Sequence, residues 1–177
     1  MSRPAKALAV KLIMSIISPM PGLIAQAVGE LSVAYGEADF VSALLPFDYT
    51  GYYAVEMGSP LVRRFVAFER LIAPEVLPDI KQHTNEVEKR FADGVRRQVN
   101  IDPGYLAGAH LILATGKGFA HRPYLRDGIY ADLTLMYQQK SFRPLAWTYP
   151  DYASPSAMAL FQIIRSKYLL QRKEARP

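Results

Sequence analysis

No cysteine occurs among the 177 residues. Disulfides, thiolate zinc sites, iron–sulfur clusters and cysteine nucleophiles are excluded together, and a cytoplasmic setting is the expectation. Histidine is scarce: His83, His110 and His121 stand far apart, without HExxH or HxH spacing, so no histidine-based metal site is expected. The most apolar run, "ALAVKLIMSII", is too short to cross a bilayer and is broken by Lys11, so no membrane partner is expected. No dense run of one charge occurs either. The net charge of +5 permits a nucleic-acid or phosphate partner without demanding one. The nearest approach to a basic run is "RSKYLLQRKEARP", with Arg165, Lys167, Arg172, Lys173 and Arg176, which reads as a solvated helix end. With half its residues hydrophobic, the chain is not disordered as a whole. It has no repeat, low-complexity tract or linker, and one domain over residues 1–177 is expected.

The start, "MSRPAKALAVKLIMSII", carries early positive charge before apolar residues, and "AQA" at 25–27 resembles a signal-peptidase site. Lys11 and the amphipathic segment that follows favour a buried first strand at 7–17 instead. In "GLIAQAVGELSVAYG", Ile24, Ala27, Val28, Leu31 and Tyr35 recur at helical spacing, and Gly36 is a natural stop. "ADFVSALLPF" predicts a second strand and "LVRRFVAFERLI" a third. A helix is expected from about Pro74, burying Val76, Leu77, Ile80, Val87 and Phe91, with "VRRQVNI" as a short fourth strand. The order β-α-β-β-α-β is the ferredoxin-like pattern of an α/β (α+β) fold. The last third predicts a helix–hairpin–helix extension. A helix opens at Asp102-Pro103 and runs through "DPGYLAGAHLILATG". The alternating "GIYADLTLMY" turns through "QQKS" into "FRPLAWTY". A final helix from Ser154-Pro155 has the stripe Ala157, Leu160, Phe161, Ile164 and Tyr168.

Chemistry-bearing side chains gather in four stretches. In "TGKGFAHRPYLRDGIYAD", glycines let backbone N–H groups approach an anion. Lys117 supplies a point charge there, Arg122 a bidentate fork, and His121 an acid or base near neutral pH. Neither GxxxxGK[ST] nor GxGxxG is present. In "PFDYTGYYAVEMG", Asp48 and Glu56 flank Tyr49, Tyr52 and Tyr53. The carboxylates suit a general base or Mg²⁺ held through its waters, and the tyrosines suit stacking on a ligand. In "NIDPGY", Asp102 reads first as a helix N-cap, whose helix end is an anion site with Tyr105 in its first turn. "AWTYPDY" reads as a rigid turn with Trp147, Tyr149 and Tyr152 packed inward, or else as an aromatic lip. Lys81, Asn85 and Glu88 share one helix face, which reads as solvated, although the same three could line a groove. His110 reads as a packing residue within an apolar helix.

The segments "PFDYTGYYAVEMG", "IKQHTNEVE", "VNIDPGYL", "LATGKGFAHRPYL", "GIYADLTL" and "WTYPDY" together resemble a bacterial family without assigned function, domain-of-unknown-function family 4416. The resemblance covers essentially the whole chain. It implies a small single-domain cytosolic protein and supplies no established catalytic residues. Some relatives carry a GTP-binding label, but this chain has no phosphate loop and no DxxG followed by NKxD. Gly51 stands where relatives tend to have an acidic residue, which weakens a metal role for the tyrosine loop. Asp132 stands where glutamate is usual, which keeps the charge with shorter reach.

The expectation is therefore an uncharacterised protein that binds or acts on a phosphorylated small molecule or a GTP-like nucleotide. Lys117 and Arg122 hold the anion, and His121, Asp48 and Glu56 are candidate catalytic groups. Tyr49, Asp102, Tyr105 and Tyr130 are ligand-binding, and Mg²⁺ is the one cofactor the carboxylates suggest. An RNA-binding module and a non-catalytic interaction subunit are the alternatives.

Overall fold

The computed structural model describes residues 3–174, so Arg176 of the basic C-terminal stretch lies outside the described residues. Strand β1 (Val10–Ser18) is buried along its whole length, as a nearly continuous apolar run requires. After it come α1 (Pro21–Tyr35), β2 (Ala38–Val41), the two-residue β3 (Leu45–Pro46), the one-turn α2 (Ala54–Met57) and β4 (Val62–Ile72). A 3-10 turn at Pro74–Val76 leads into α3 (Leu77–Arg90). The chain continues through β5 (Asn100–Leu106), β6 (His110–Thr115), β7 (Tyr124–Arg126), β8 (Ile129–Gln138), β9 (Ser141–Pro144) and α4 (Pro155–Glu174). The nine strands form one sheet in the order β2-β4-β1-β5-β6-β8-β7, with β3 paired to β4 and β9 to β8. Every pairing is antiparallel. The fold is thus mixed α+β. None of its described helices is long and apolar enough to cross a membrane.

Register assigns the faces, because residues directly opposite each other point the same way. Ile13, Ser15 and Ile17 share a face with Ala67, Phe65 and Arg63 of β4 and with Gly104, Asp102 and Asn100 of β5. Leu12, Met14 and Ile16 take the other face, where α1 and α3 contribute Ile24, Ala27, Leu31, Ile80 and Val87. Helix α4 covers part of the first face. Its Ala157, Phe161, Ile164 and Tyr168 pack with Ile13, Phe65, Ala67, Leu106, Leu111, Leu135 and Phe142. Lys11, fully buried, pairs with Asp39 at 2.5 Å and donates to Gln171 of α4 at 2.8 Å. Burial pulls its pKa down and Asp39 partly restores it. The charge that interrupts the first apolar run therefore ties β1 to β2 and α4.

Three expected elements differ, the first being the second strand over 38–47, which is split into β2 and β3. The helix over 102–115 is a β-hairpin, β5–β6, closed by Ala107 N–H donating to the His110 carbonyl at 2.9 Å. Asp102 and Pro103 satisfy the local rules of a helix start, but pairing with β1 outweighs them. A Cβ at Gly104 would overlap the Ile112 carbonyl and sit 2.7 Å from Leu113 Cδ2, so only glycine allows β5 and β6 to approach this closely. His110 accordingly lies on a strand, and the extension past β5 is strands followed by one helix. The fourth main strand begins at Asn100, and Asp93–Arg96 form a tight turn ahead of it. The alternation in β8 also breaks at a register shift: Leu111 faces Leu135, whereas Ile112 faces Leu133, so Thr134 and Leu135 are both buried.

Candidate functional site

The face that α4 covers turns polar beyond the helix. Along β1, the row Ala67–Ile13–Gly104 gives way to Phe65–Ser15–Asp102 and then to Arg63–Ile17–Asn100. Leu113 lies opposite both Gly104 and Asp132, so Asp132 belongs to the same face, as does Tyr130 two residues earlier. Ser15, Arg63, Asn100, Asp102 and Asp132 thus form a polar sector.

Three loops meet over this sector. From residues 46–58, Phe47 and Met57 pack on Ile17, and the Phe47 ring lies 4.4 Å from the Arg63 guanidinium. From residues 145–154, Asp151 pairs with Arg63 at 2.5 Å, and the Tyr152 ring packs edge-on to Phe65. The third is the glycine-bearing loop 116–123. Its Arg122 donates from Nε to Asp132 at 2.8 Å, from Nη1 to the Lys117 carbonyl at 3.1 Å and from Nη2 to the Tyr149 hydroxyl at 2.8 Å. Lys117 Nζ donates to the Tyr52 hydroxyl at 3.2 Å and lies 4.4 Å from the ring centre. Each loop therefore grips the next. Gly118 runs tightly along the Tyr130 ring, which a Cβ would approach to 3.0 Å. Trp147 is fixed by its indole N–H on the Leu133 carbonyl at 2.8 Å, and His121 stacks on it with ring centres 4.9 Å apart.

Beneath the loops lie polar atoms short of partners. Ser15 is 1% exposed and Tyr152 3%; their hydroxyls lie close to each other, and neither has a further hydrogen-bond partner among the described residues. Arg63, 5% exposed, has an unpartnered Nε. Burial pushes the Tyr152 hydroxyl far above its usual pKa, against the pull of Arg63 and of the nearby Ser15 hydroxyl. Tyr53 is pushed up likewise, first by burial and then by Asp102, with Arg97 and Arg63 opposing. Buried polar groups are nearly always bonded, so these atoms stand out within the otherwise paired sector.

A second network backs this sector. Pairing between β5 and β6 begins only at Gly104, which leaves the outward backbone groups of Ile101 without a strand. Side chains of α3 replace it. Glu88 accepts the Ile101 N–H at 2.6 Å, and Lys81 donates to the Ile101 carbonyl at 2.9 Å and reaches Asp102 at 3.4 Å. Lys81 and Glu88 are therefore buried, which corrects the solvated-face expectation. Asn85, partly exposed, lines an open groove of about 820 Å³ beside α3, together with Glu88. Arg97 links Glu56 at 2.7 Å, Glu88 at 3.2 Å and Asn100 at 2.8 Å, and Asn100 donates to Asp102 at 2.7 Å. Burial raises the Glu88 pKa, with Lys81 and the Ile101 bond opposing. Burial works against the Arg97 charge, but its carboxylate partners prevail and raise its pKa.

The structure brings Lys117, His121, Arg122, Asp132, Tyr130 and Tyr149 together and joins them to the tyrosine loop through Tyr52. Tyr49 packs on Phe47, exposed at the outer edge. Asp102 lies in the polar sector as a strand residue and not as a helix cap. Glu56 is engaged by Arg97. Asp48 is exposed and makes no hydrogen bond or ion pair among the described residues. Tyr105 is displaced: opposite Leu12, it faces α3, packs against Leu77 and His110, and lies across the sheet from the polar sector. Tyr152 does pack inward, whereas Trp147 and Tyr149 are partly exposed. No group of three or more His, Asp or Glu side chains suited to a metal ion occurs among the described residues. Sequence reasoning missed Ser15, Arg63, Asn100 and Arg97. The available signals were a lone hydroxyl in an apolar run and an arginine that spoils the alternation of β4.

Fold and site define an α+β protein whose described strands form a nine-stranded antiparallel sheet with a loop-covered polar sector at one end of it. The chain belongs to the family described as Domain of unknown function (DUF4416), whose model matches residues 8–168. No curated protein and no solved structure matches it.

Proposed function

We propose that this protein binds a phosphorylated small molecule, nucleotides included, at the surface where the three loops meet. Lys117 is the observation that carries this reading. Arg63, Lys81, Arg97 and Arg122 all have carboxylate partners, whereas among the described residues the Lys117 ammonium is held only by a phenol. A phosphate would replace that phenol as a stronger, charge-assisted acceptor. Exposed Tyr49, Tyr52 and Tyr149 offer faces for a planar group. Arg122 shapes the loop and orients Tyr149, so the anion role falls to Lys117. His121, 3.6 Å from Asp132, is the candidate acid or base, and Mg²⁺ would arrive with the phosphate. The same reading takes β2-β4-β1-β5, with α1 and α3 on one face, as a ferredoxin-like unit; its strand order and antiparallel pairings support this.

Thermal unfolding against nucleotides and phosphorylated metabolites, with and without Mg²⁺, tests the proposal. A ligand at a hundred times its dissociation constant adds about 2.7 kcal/mol, a rise of several degrees. Lys117→Ala is expected to abolish that rise while leaving the unliganded Tm unchanged. A flat panel on folded protein overturns the proposal.

A further inference from the structure

We infer that the ligand held at this surface is a nucleotide whose base stacks on the Tyr149 ring, recognised by its face and not by its edge. The inference rests on the phosphate reading above and names the group that the phosphate carries. Four large aromatic side chains gather at loop 116–123 and are open to solvent: Tyr52 is 59% exposed, Phe119 68%, Trp147 40% and Tyr149 49%. Three of them are poor platforms. The Lys117 ammonium already lies on the Tyr52 ring, 4.4 Å from its centre. His121 is stacked on Trp147, with 14° between the two rings. Phe119 has no polar tip to hold it and meets His121 edge-on, with centres 5.3 Å apart.

Tyr149 is the one of the four that is both fixed and bare. Its hydroxyl accepts from Arg122 Nη2 at 2.8 Å, and among the described residues no aromatic ring or cation lies over its ring. The same guanidinium donates from Nη1 to the Lys117 carbonyl at 3.1 Å, so one fork ties this ring to the loop that carries the ammonium. A ring already held in place loses little freedom when a base settles on it. The polar groups nearby are engaged. The Tyr52 hydroxyl accepts from Lys117, the Trp147 N–H donates to the Leu133 carbonyl, Thr115 Oγ1 accepts the Lys117 N–H, and Thr148 Oγ1 donates to the Thr134 carbonyl. Sugar hydroxyls and base edges need free donors and acceptors, whereas every base offers a π-face.

Calorimetric titration with the nucleoside monophosphates of adenine, guanine, cytosine and uracil, with ribose phosphate and with adenosine tests this. The proteins compared are the wild type, Tyr149→Leu, Tyr149→Phe and Lys117→Ala, each shown to be folded by an unlowered Tm. Each nucleotide is expected to bind at least about fivefold tighter than ribose phosphate, and the four to lie within about tenfold of one another. Tyr149→Leu is expected to remove that margin and leave ribose phosphate unaffected, whereas Tyr149→Phe, which keeps the face, retains it. Lys117→Ala weakens nucleotides and ribose phosphate alike. Nucleotides that bind no tighter than ribose phosphate, a margin that survives in Tyr149→Leu or is lost in Tyr149→Phe, or one base favoured more than about tenfold overturns the inference and leaves the phosphate reading standing. Adenosine that binds through Tyr149, together with nucleotides indifferent to Lys117→Ala, supports the platform and overturns the phosphate reading. Absence of binding throughout overturns both.

Discussion

Tyr152 and Tyr168 bury the same phenol under opposite conditions. The Tyr168 hydroxyl donates to the Ala9 carbonyl at 2.8 Å, whereas that of Tyr152 has no partner among the described residues beyond the nearby Ser15 hydroxyl. Removing a satisfied hydrogen bond costs about 1 kcal/mol, while removing an orphaned group relieves its desolvation. Urea unfolding is therefore expected to show Tyr168→Phe destabilised by about that amount and Tyr152→Phe unchanged or more stable. Equal losses in both would mean that the Tyr152 oxygen is satisfied within the fold. At this scale the sequence was legible as anomalies. Ser15 interrupts an apolar run and Arg63 an alternating one, but only the register of β1 with β4 and β5 shows that they share a face. The glycine-bearing loop was easier to find, because Lys117, His121 and Arg122 are close in sequence and the loop itself joins them.

Helix α3 serves as the missing strand beside β5. Lys81→Met keeps the apolar stem but leaves the Ile101 carbonyl without a partner, and it is expected to cost about 1–3 kcal/mol in chemical denaturation. A loss within error would place another donor on that carbonyl. Glu88 adds a pH dependence. Its folded pKa is raised above the ordinary 4.5, mainly by burial. Between 4.5 and the raised value, the folded chain keeps a proton that the unfolded chain has released. Its contribution to stability therefore falls as pH rises through that window. Relative to Glu88→Gln, the wild type is expected to lose stability as pH is raised across it; parallel pH curves would contradict the raised pKa. Helical spacing revealed the apolar stripe of α3. It could not reveal that Lys81 and Glu88 are buried, since that depends on where β6 leaves β5. The expected helix at 102–115 failed for a related reason: Asp102 and Pro103 follow local capping rules, and the long-range pairing of β5 with β1 overrides them.

Across the whole molecule, the decisive feature is that α4 covers only part of its face. Its apolar stripe, read directly from the period of Ala157, Phe161, Ile164 and Tyr168, matches the apolar half of the sheet. The polar half is left to loops whose contacts are side chain on side chain: Lys117 on Tyr52, Arg122 on Tyr149 and Asp151 on Arg63. Segments so far apart in the chain share a site only once the sheet is assembled, which is why the stretches were visible singly and their convergence was not. Amide NMR of labelled protein titrated with the phosphorylated small molecule that raises its Tm tests the site most directly. Shifts are predicted at Asp102, Lys117, Tyr130 and Tyr149, with Tyr105 and the α3 groove unchanged. Shifts confined to the groove around Asp79, Glu86 and Val95, or none at saturating ligand, would contradict the loop-covered sector as the binding site.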